Sequence, residues 1–360
     1  MKSFNKIICV LMTLCVVFSA LGVSAVTGSA ASSDPFASMQ WDMDMIGMDT
    51  ARESGLTGKG VRVAIIDSGV STNTKDIDSD RLLAGKNMIE PLQDTQDYDG
   101  HGTFIAGIIG ASVGNGVGIA GMAPGVTIVP IKTTVTGTSL ASRNAEAVME
   151  AVDEFGCDVI NLSFGSKKSM QTLHDAIKYA VSKGVIVVCS TGNDGTQDYY
   201  YPGAYEETIG VGAVEKTKEA SSFSHRNDSI FVTAPGNNTV SLSLVPGVIR
   251  YGSGTSVSAP YICGLAALLK ERYPQMNKDD FAEILKASSE DLGEKGYDTT
   301  YGWGLVQVPQ AIRAADLYFG SSDPFDPGQQ TPEKPSFWDR VKAFFANSWL
   351  GRLFRFVFGR

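Results

Sequence analysis

Three residues of this chain have the types and settings that make an oxygen nucleophile. Asp67 directly follows the apolar run 61–66 and precedes Ser68-Gly69. His101 stands in Asp99-Gly100-His101-Gly102-Thr103, at the head of the apolar stretch 104–111. Ser256 stands in Gly254-Thr255-Ser256-Val257-Ser258-Ala259-Pro260, ahead of Ala266-Ala267-Leu268-Leu269. A serine hydroxyl attacks a carbonyl poorly unless a base takes its proton in the same step. Histidine has the pKa for that task near neutrality. A buried carboxylate holds the imidazole in one tautomer and stabilises its cation. A helix starting at Ser256 aims its positive end at the developing oxyanion. Singly, each residue has an ordinary structural reading: the Asp as a cap or turn former, the Ser as a helix cap. The signal is the combination, three such motifs in a fixed order.

The elements that must position them alternate along the chain. Strand-like runs at 61–66, 126–131, 157–162, 185–189 and 208–214 are interleaved with helical spacing at 142–155 and 173–181. In the first of these helices Ala147, Val148, Ala151 and Val152 share one side. Short apolar strands between amphipathic helices imply an α/β fold in three layers, a mostly parallel central sheet flanked by helices. In such sheets the active site lies at the carboxyl ends of the strands, where Asp67 falls. There is no internal repeat, and about 280 residues of this pattern make one large domain.

The combination resembles the subtilisin-like serine proteases, the subtilase family (peptidase family S8), of the bacterial secreted type. The residues that carry the resemblance are 63–70 around Asp67, 99–103 with Ala106-Gly107 around His101, and Gly254-Thr255-Ser256 with Ser258-Ala259-Pro260. The order Asp, His, Ser is that of subtilisin itself. Lesser matches are Gly121–Pro124, Asn161–Ser163, Thr191–Asn193, Tyr201–Gly203, Ala234–Gly236 and Tyr301–Gly304, so the likeness runs from about residue 41 to 317.

The resemblance implies a secreted serine endopeptidase working through Asp67, His101 and Ser256. It makes Asn193 the oxyanion-hole amide, acting with the Ser256 backbone N–H. It makes Ser163, Phe164 and Gly165 a strand edge that pairs with substrate backbone and walls the first specificity pocket, with Gly137 on the opposing edge. Tyr200 falls near a small residue that lines that pocket in many members. An inward ring leaves room for small side chains only, and an outward ring leaves the pocket open. Asp194 at the rim would favour a basic side chain. The stretch 113–119 resembles the family's calcium loop, with Asp76, the Asn115 side chain and the carbonyls of Val113, Val117 and Ile119 as ligands. Calcium takes 6–8 oxygens. Gln40 is out of register with the family's glutamine ligand. The competing reading is a catalytically weak subtilase-like binding or regulatory protein of the cell envelope. A dehydrogenase reading of Gly116–Gly121 fails, because the motif follows a helix instead of a strand.

The net charge of −9 is unevenly spread. Residues 1–25 carry Lys2 and Lys6, no acids, and an apolar run ending in Val23-Ser24-Ala25, the pattern of an export signal. Residues 336–360 hold five basic residues against Asp339, a net of +4. That leaves −15 on residues 26–335, too acidic for a nucleic-acid partner. The expected divisions are a signal at 1–25, a short segment at 26–38 with no propeptide domain, a catalytic domain at 39–318, a Pro-rich linker at 319–335 and a basic amphipathic helix at 336–360. Phe344, Phe345 and Arg352 of that last segment step at helical spacing, which suits an interface with anionic lipid. The partner is otherwise a peptide or protein substrate, and the expected state is a monomer. Cys157, Cys189 and Cys263 lie in apolar stretches and read as buried free thiols.

Overall fold

The computed structural model describes residues 33–327, except 138 and 323. The expected signal, most of the linker and the basic C-terminal helix lie outside the described residues. Helices α1 (Trp41–Met45) and α2 (Met48–Arg52) lead into strand β1 (Arg62–Asp67). Then follow β2 (Lys86–Asn87), α3 (His101–Gly110), β3 (Thr127–Lys132), α4 (Ala141–Asp153), β4 (Val159–Leu162), α5 (Gln171–Ser182) and β5 (Ile186–Ser190). The chain continues through β6 (Ile209–Val214), β7 (Val232–Pro235), β8 (Thr239–Leu242), β9 (Ile249–Gly252), α6 (Thr255–Arg272), α7 (Lys278–Ser288) and α8 (Val308–Tyr318).

Strand β1 shows why the sheet is parallel and internal. Val63 and Ile65 enter one hydrophobic core, and Ala64 and Ile66 the other. A strand buried on both faces must be apolar nearly throughout, and helical crossovers cover both faces. The sheet order is β2-β3-β1-β4-β5-β6-β7, and every pairing in it is parallel. The expected sheet flanked by helices is therefore found. Helices α4 and α5 pack on one face with Ala64, Ile66, Val129 and Val187. Helices α3, α6, α7 and α8 share the other core with Val63, Ile65, Ile128 and Val188. The chain leaves β1 first for one side of it (β3) and later for the other (β4). This reversal opens a crevice at the carboxyl ends of β1 and β4.

Helix α6 is buried along almost its whole length. Its apolar load runs all round the helix, as a central helix requires. The N-terminal segment is fastened to it by the Tyr261 hydroxyl, which donates to Asp42 Oδ2 at 2.6 Å. Burial pushes the Asp42 carboxyl up to about 6, partly opposed by that hydrogen bond. Cys157, Cys189 and Cys263 are buried free thiols, as expected. Burial raises all three, Cys157 to about 12. Strands β2, β7 and β9 lack a sequence signal that singles them out, whereas α7 has the Asn277–Asp280 capping box, α8 has Pro309 in its first turn and β8 alternates polar and apolar residues. β2 is only two residues long.

Candidate active site

Asp67 is the last residue of β1 and is 4% exposed. One carboxylate oxygen accepts the Ser68 N–H at 2.7 Å, which orients the group. His101 opens α3, and its Nδ1–H donates to the carboxylate, 2.9 Å from each oxygen. The charge of Asp67, more than offsetting burial, raises the imidazole above its ordinary pKa, and Asp99 and Asp97 add to it. Helix α3 starts at this point because of Asp97, which is 1% exposed. Its Oδ1 accepts the N–H groups of Asp99 and Gly100, and its Oδ2 those of Thr103 and the Thr103 hydroxyl. A carboxylate on the first-turn donors both satisfies them and complements the helix dipole. Asp97 is a functional residue that motif reading missed. Its signal was an acid just ahead of an apolar helix.

Ser256 sits in the first turn of α6. The Asn193 amide is locked against that turn: its Oδ1 accepts from Thr255 N–H at 2.8 Å and from the Thr255 hydroxyl at 2.9 Å. This leaves the Asn193 NH2 as a donor beside the serine. Gly254 has φ +149°, and a Cβ there would lie 3.1 Å from Ser256 Oγ and 3.2 Å from Asn193 Nδ2. Glycine thus keeps open the space between nucleophile and amide.

A proline in this helix has a further consequence. Pro260 has no N–H, so the Ser256 carbonyl four residues back loses its helical donor. The Ser163 hydroxyl donates to that carbonyl instead, at 2.8 Å. Ser163 Oγ accepts in turn from Asn161 Nδ2 at 3.0 Å, and the Cys263 thiol donates to Asn161 Oδ1 at 3.5 Å.

All five expected substrate-binding residues come together. Ser163, Phe164, Gly165, Gly137 and Tyr200 line one cavity of about 230 Å³ with Asp67 and His101. Ser163 links this cavity to Ser256. Among the described residues His101 makes no hydrogen bond to Ser256, a contact that commonly tightens only when substrate is bound.

Residues 58–304 match the Subtilase family. The chain belongs to the subtilase family. It is 34% identical over 288 residues to minor extracellular protease Epr of Bacillus subtilis (strain 168), covering 79% of this chain but 43% of that protein. It is also 34% identical over 279 residues to subtilisin Savinase of Lederbergia lenta, covering 77% of this chain and 99% of that protein. Among solved structures it resembles fervidolysin from Fervidobacterium pennivorans, described as a keratinolytic enzyme related to subtilisin. That match has a TM-score of 0.70, 30% identity, and covers 78% of this chain and 46% of that one.

In this subtilase two of the expected calcium residues, Asn115 and Ile119, meet Asp76. Asp76 is 0% exposed; its Oδ2 accepts from Ile119 N–H at 2.9 Å and its Oδ1 from Asn115 Nδ2 at 3.0 Å. Burial raises its carboxyl to about 7, against the two hydrogen bonds. The carbonyls of Val113, Val117 and Ile119 accept no hydrogen bond among the described residues. A buried carboxylate beside unpaired carbonyls fits a hard cation. Asn115 Oδ1 accepts from Val117 N–H at 2.8 Å and keeps a second lone pair, while its NH2 faces Asp76. Gln40 bonds the backbone of Ala120 through both ends of its amide, in keeping with its offset from the family's ligand position.

Proposed function

We propose that this chain is a secreted serine endopeptidase that cleaves peptide bonds through an acyl-enzyme. The family is one of peptide-bond hydrolases. The observation that carries the finer reading is the buried Asp67 paired to His101 on the same cavity as Ser163, which holds the Ser256 carbonyl.

In this mechanism Ser256 Oγ attacks the scissile carbonyl while His101 Nε2 takes its proton. Asp67 keeps the other ring nitrogen protonated and stabilises the imidazolium. The oxyanion is met by Asn193 Nδ2 and the Ser256 N–H, near the positive end of α6. His101 returns the proton to the leaving amine. A water activated by the same base then frees Ser256. Substrate backbone adds as a strand to the exposed edge at 163–165, so recognition at this edge needs main-chain groups alone. Loss of the Asn193 donor should cost ~10²–10³ in turnover, the magnitude found in subtilisin itself.

Treatment with a fluorophosphonate probe tests the reading. Labelling at Ser256, lost in Ser256→Ala together with peptide hydrolysis, is the expected result. A folded protein that takes no label would instead be a binding or regulatory relative.

Calcium, when bound, supplies positive charge that neutralises Asp76 and ties the loop 113–119 to the body of the domain. It takes no part in the chemistry. The leader at 1–25 directs export, and the basic segment 336–360 holds the enzyme to an anionic membrane surface. Deleting 336–360 should then release the protein from membrane fractions. No helix among the described residues is long and apolar enough to cross a membrane.

A further inference from the structure

Strands β4 and β5 are neighbours, with Leu162 beside Cys189. Beyond the sheet's carboxyl edge their extensions, 163–165 and 191–193, both reach the first turn of α6. Ser163 does so through the Ser256 carbonyl, and Asn193 through the Thr255 N–H. A carbonyl seated between Ser256 Oγ and the Asn193 amide therefore belongs to a residue whose side chain enters the crevice between these two extensions.

Two rings close that crevice. A Cβ on Gly165 would stand 2.5 Å from Tyr200 Cε1, and a Cβ on Gly192 would stand 2.5 Å from His225 Cε1. One ring thus rests on each wall. They meet edge to face, with centroids 5.8 Å apart and planes at 78°. Both are held from behind. Tyr201 and Ser166 exchange two backbone hydrogen bonds of 2.8 Å, fixing the chain next to Tyr200. His225 is 0% exposed, and its Nδ1–H donates to the Asp198 carbonyl at 2.9 Å. The Tyr200 ring also forms part of the cavity wall that includes His101 and Gly165. Asp194 at the rim lies 3.3 Å from Lys167, which it shares with Asp198 at 2.8 Å.

We infer that Tyr200 is the specificity-determining residue, and that it restricts the residue donating the scissile carbonyl to glycine, alanine or serine. This rests on the peptidase reading above. The ring takes the volume that a larger substrate side chain would need. Tightly packed walls cannot absorb extra methylenes without displacing atoms. His225 backs the ring, so a substrate cannot push it aside without breaking the edge contact and the Asp198 bond.

A peptide library varied at that one position, digested by the purified protein, is the test. The wild-type protein should cut after Ala at least about 100-fold better, in kcat/KM, than after Phe, since a misfit of one methylene already changes the rate about 10–200-fold. Tyr200→Ala should move the Phe-to-Ala ratio towards Phe by about 10–100-fold. Tyr200→Phe should leave the ratio where it is, because ring volume and not the hydroxyl is decisive. A wild-type protein that cuts best after Phe or Leu overturns the inference, as does a ratio unmoved in a folded Tyr200→Ala. The wild-type profile decides even if thermal unfolding shows that Tyr200→Ala does not fold. A protein that cleaves no library member and takes no fluorophosphonate label refutes the peptidase reading itself, a different outcome from active cleavage with the wrong preference.

Discussion

Replacing Ser163 with alanine removes one hydroxyl while leaving the main-chain edge at 163–165 unchanged. The Ser256 carbonyl then has no donor. Pro260 cannot supply one, and the Ser163 hydroxyl at 2.8 Å is its substitute. Leaving this part-buried carbonyl without a donor costs up to about 1–3 kcal/mol, the range for a buried group. The carbonyl belongs to the proposed nucleophile itself, in the turn that also carries the proposed oxyanion-binding N–H. If the cost is felt in the transition state, turnover falls about 5- to 150-fold, at 1.4 kcal/mol per tenfold. KM should stay within about twofold, because substrate pairs with backbone. The decisive comparison adds Pro260→Ala, which restores an N–H at the position that normally serves the Ser256 carbonyl. In that background the Ser163→Ala penalty should shrink to about twofold or less, a coupling read by a double-mutant cycle. The assay is kcat and KM for the four proteins, with thermal unfolding as the folding control. An equal penalty in both backgrounds, or one that falls on KM, would refute the reasoning.

Asp67 raises the His101 pKa, so kcat/KM should fall as pH drops through a value above that of free histidine. Asp67→Asn should shift this acid limb to lower pH and cut turnover by ~10⁴, whereas an unmoved limb assigns it to another group. Asp42 holds a proton in the fold up to about pH 6 that the unfolded chain releases near 4. Its contribution to stability is therefore complete below pH 4 and lost as pH rises to about 6, an amount of about 3 kcal/mol. Urea titrations at pH 4, 5, 6 and 7 should show this decline, and Asp42→Asn should flatten it; an identical slope in both proteins contradicts the assignment. Added calcium should raise the unfolding temperature by about 5 °C at saturating concentration. Asp76→Asn should abolish that increase, and a calcium response that survives the substitution places the ion elsewhere.

The chemistry was legible because its signals are local. Asp67 is marked by the end of an apolar run, and His101 and Ser256 by helix starts with glycine before them. Each depends on residues within a few positions, and the order of the three motifs removes the ambiguity of any one. Fold class was legible for the same reason, since β1 and its neighbours are apolar on both faces and the crossover helices are amphipathic. Elements such as β2 and β9 escaped because two residues, or Ile-Arg-Tyr-Gly, are too short to separate a strand from a loop, whereas β8 does carry a signal, the polar–apolar alternation of Thr-Val-Ser-Leu. Asp97 escaped because an acid ahead of an apolar helix does not say which groups it will hold, here three main-chain N–H groups and the Thr103 hydroxyl.

From the sequence alone come the candidate nucleophile, base and carboxylate and the parallel sheet that must hold them. Local dihedral preference and the period of burial are enough to place those. Whether the Tyr200 ring fills or clears the crevice was open in the sequence. It is decided by Gly165, 35 positions earlier, and by His225, 25 positions later. The replacement of the Pro260 N–H by a hydroxyl 97 positions away, that of Ser163, is likewise a tertiary fact. A side chain's direction is set by whatever packs against it, and those neighbours meet only after the strands have crossed and the layers have closed.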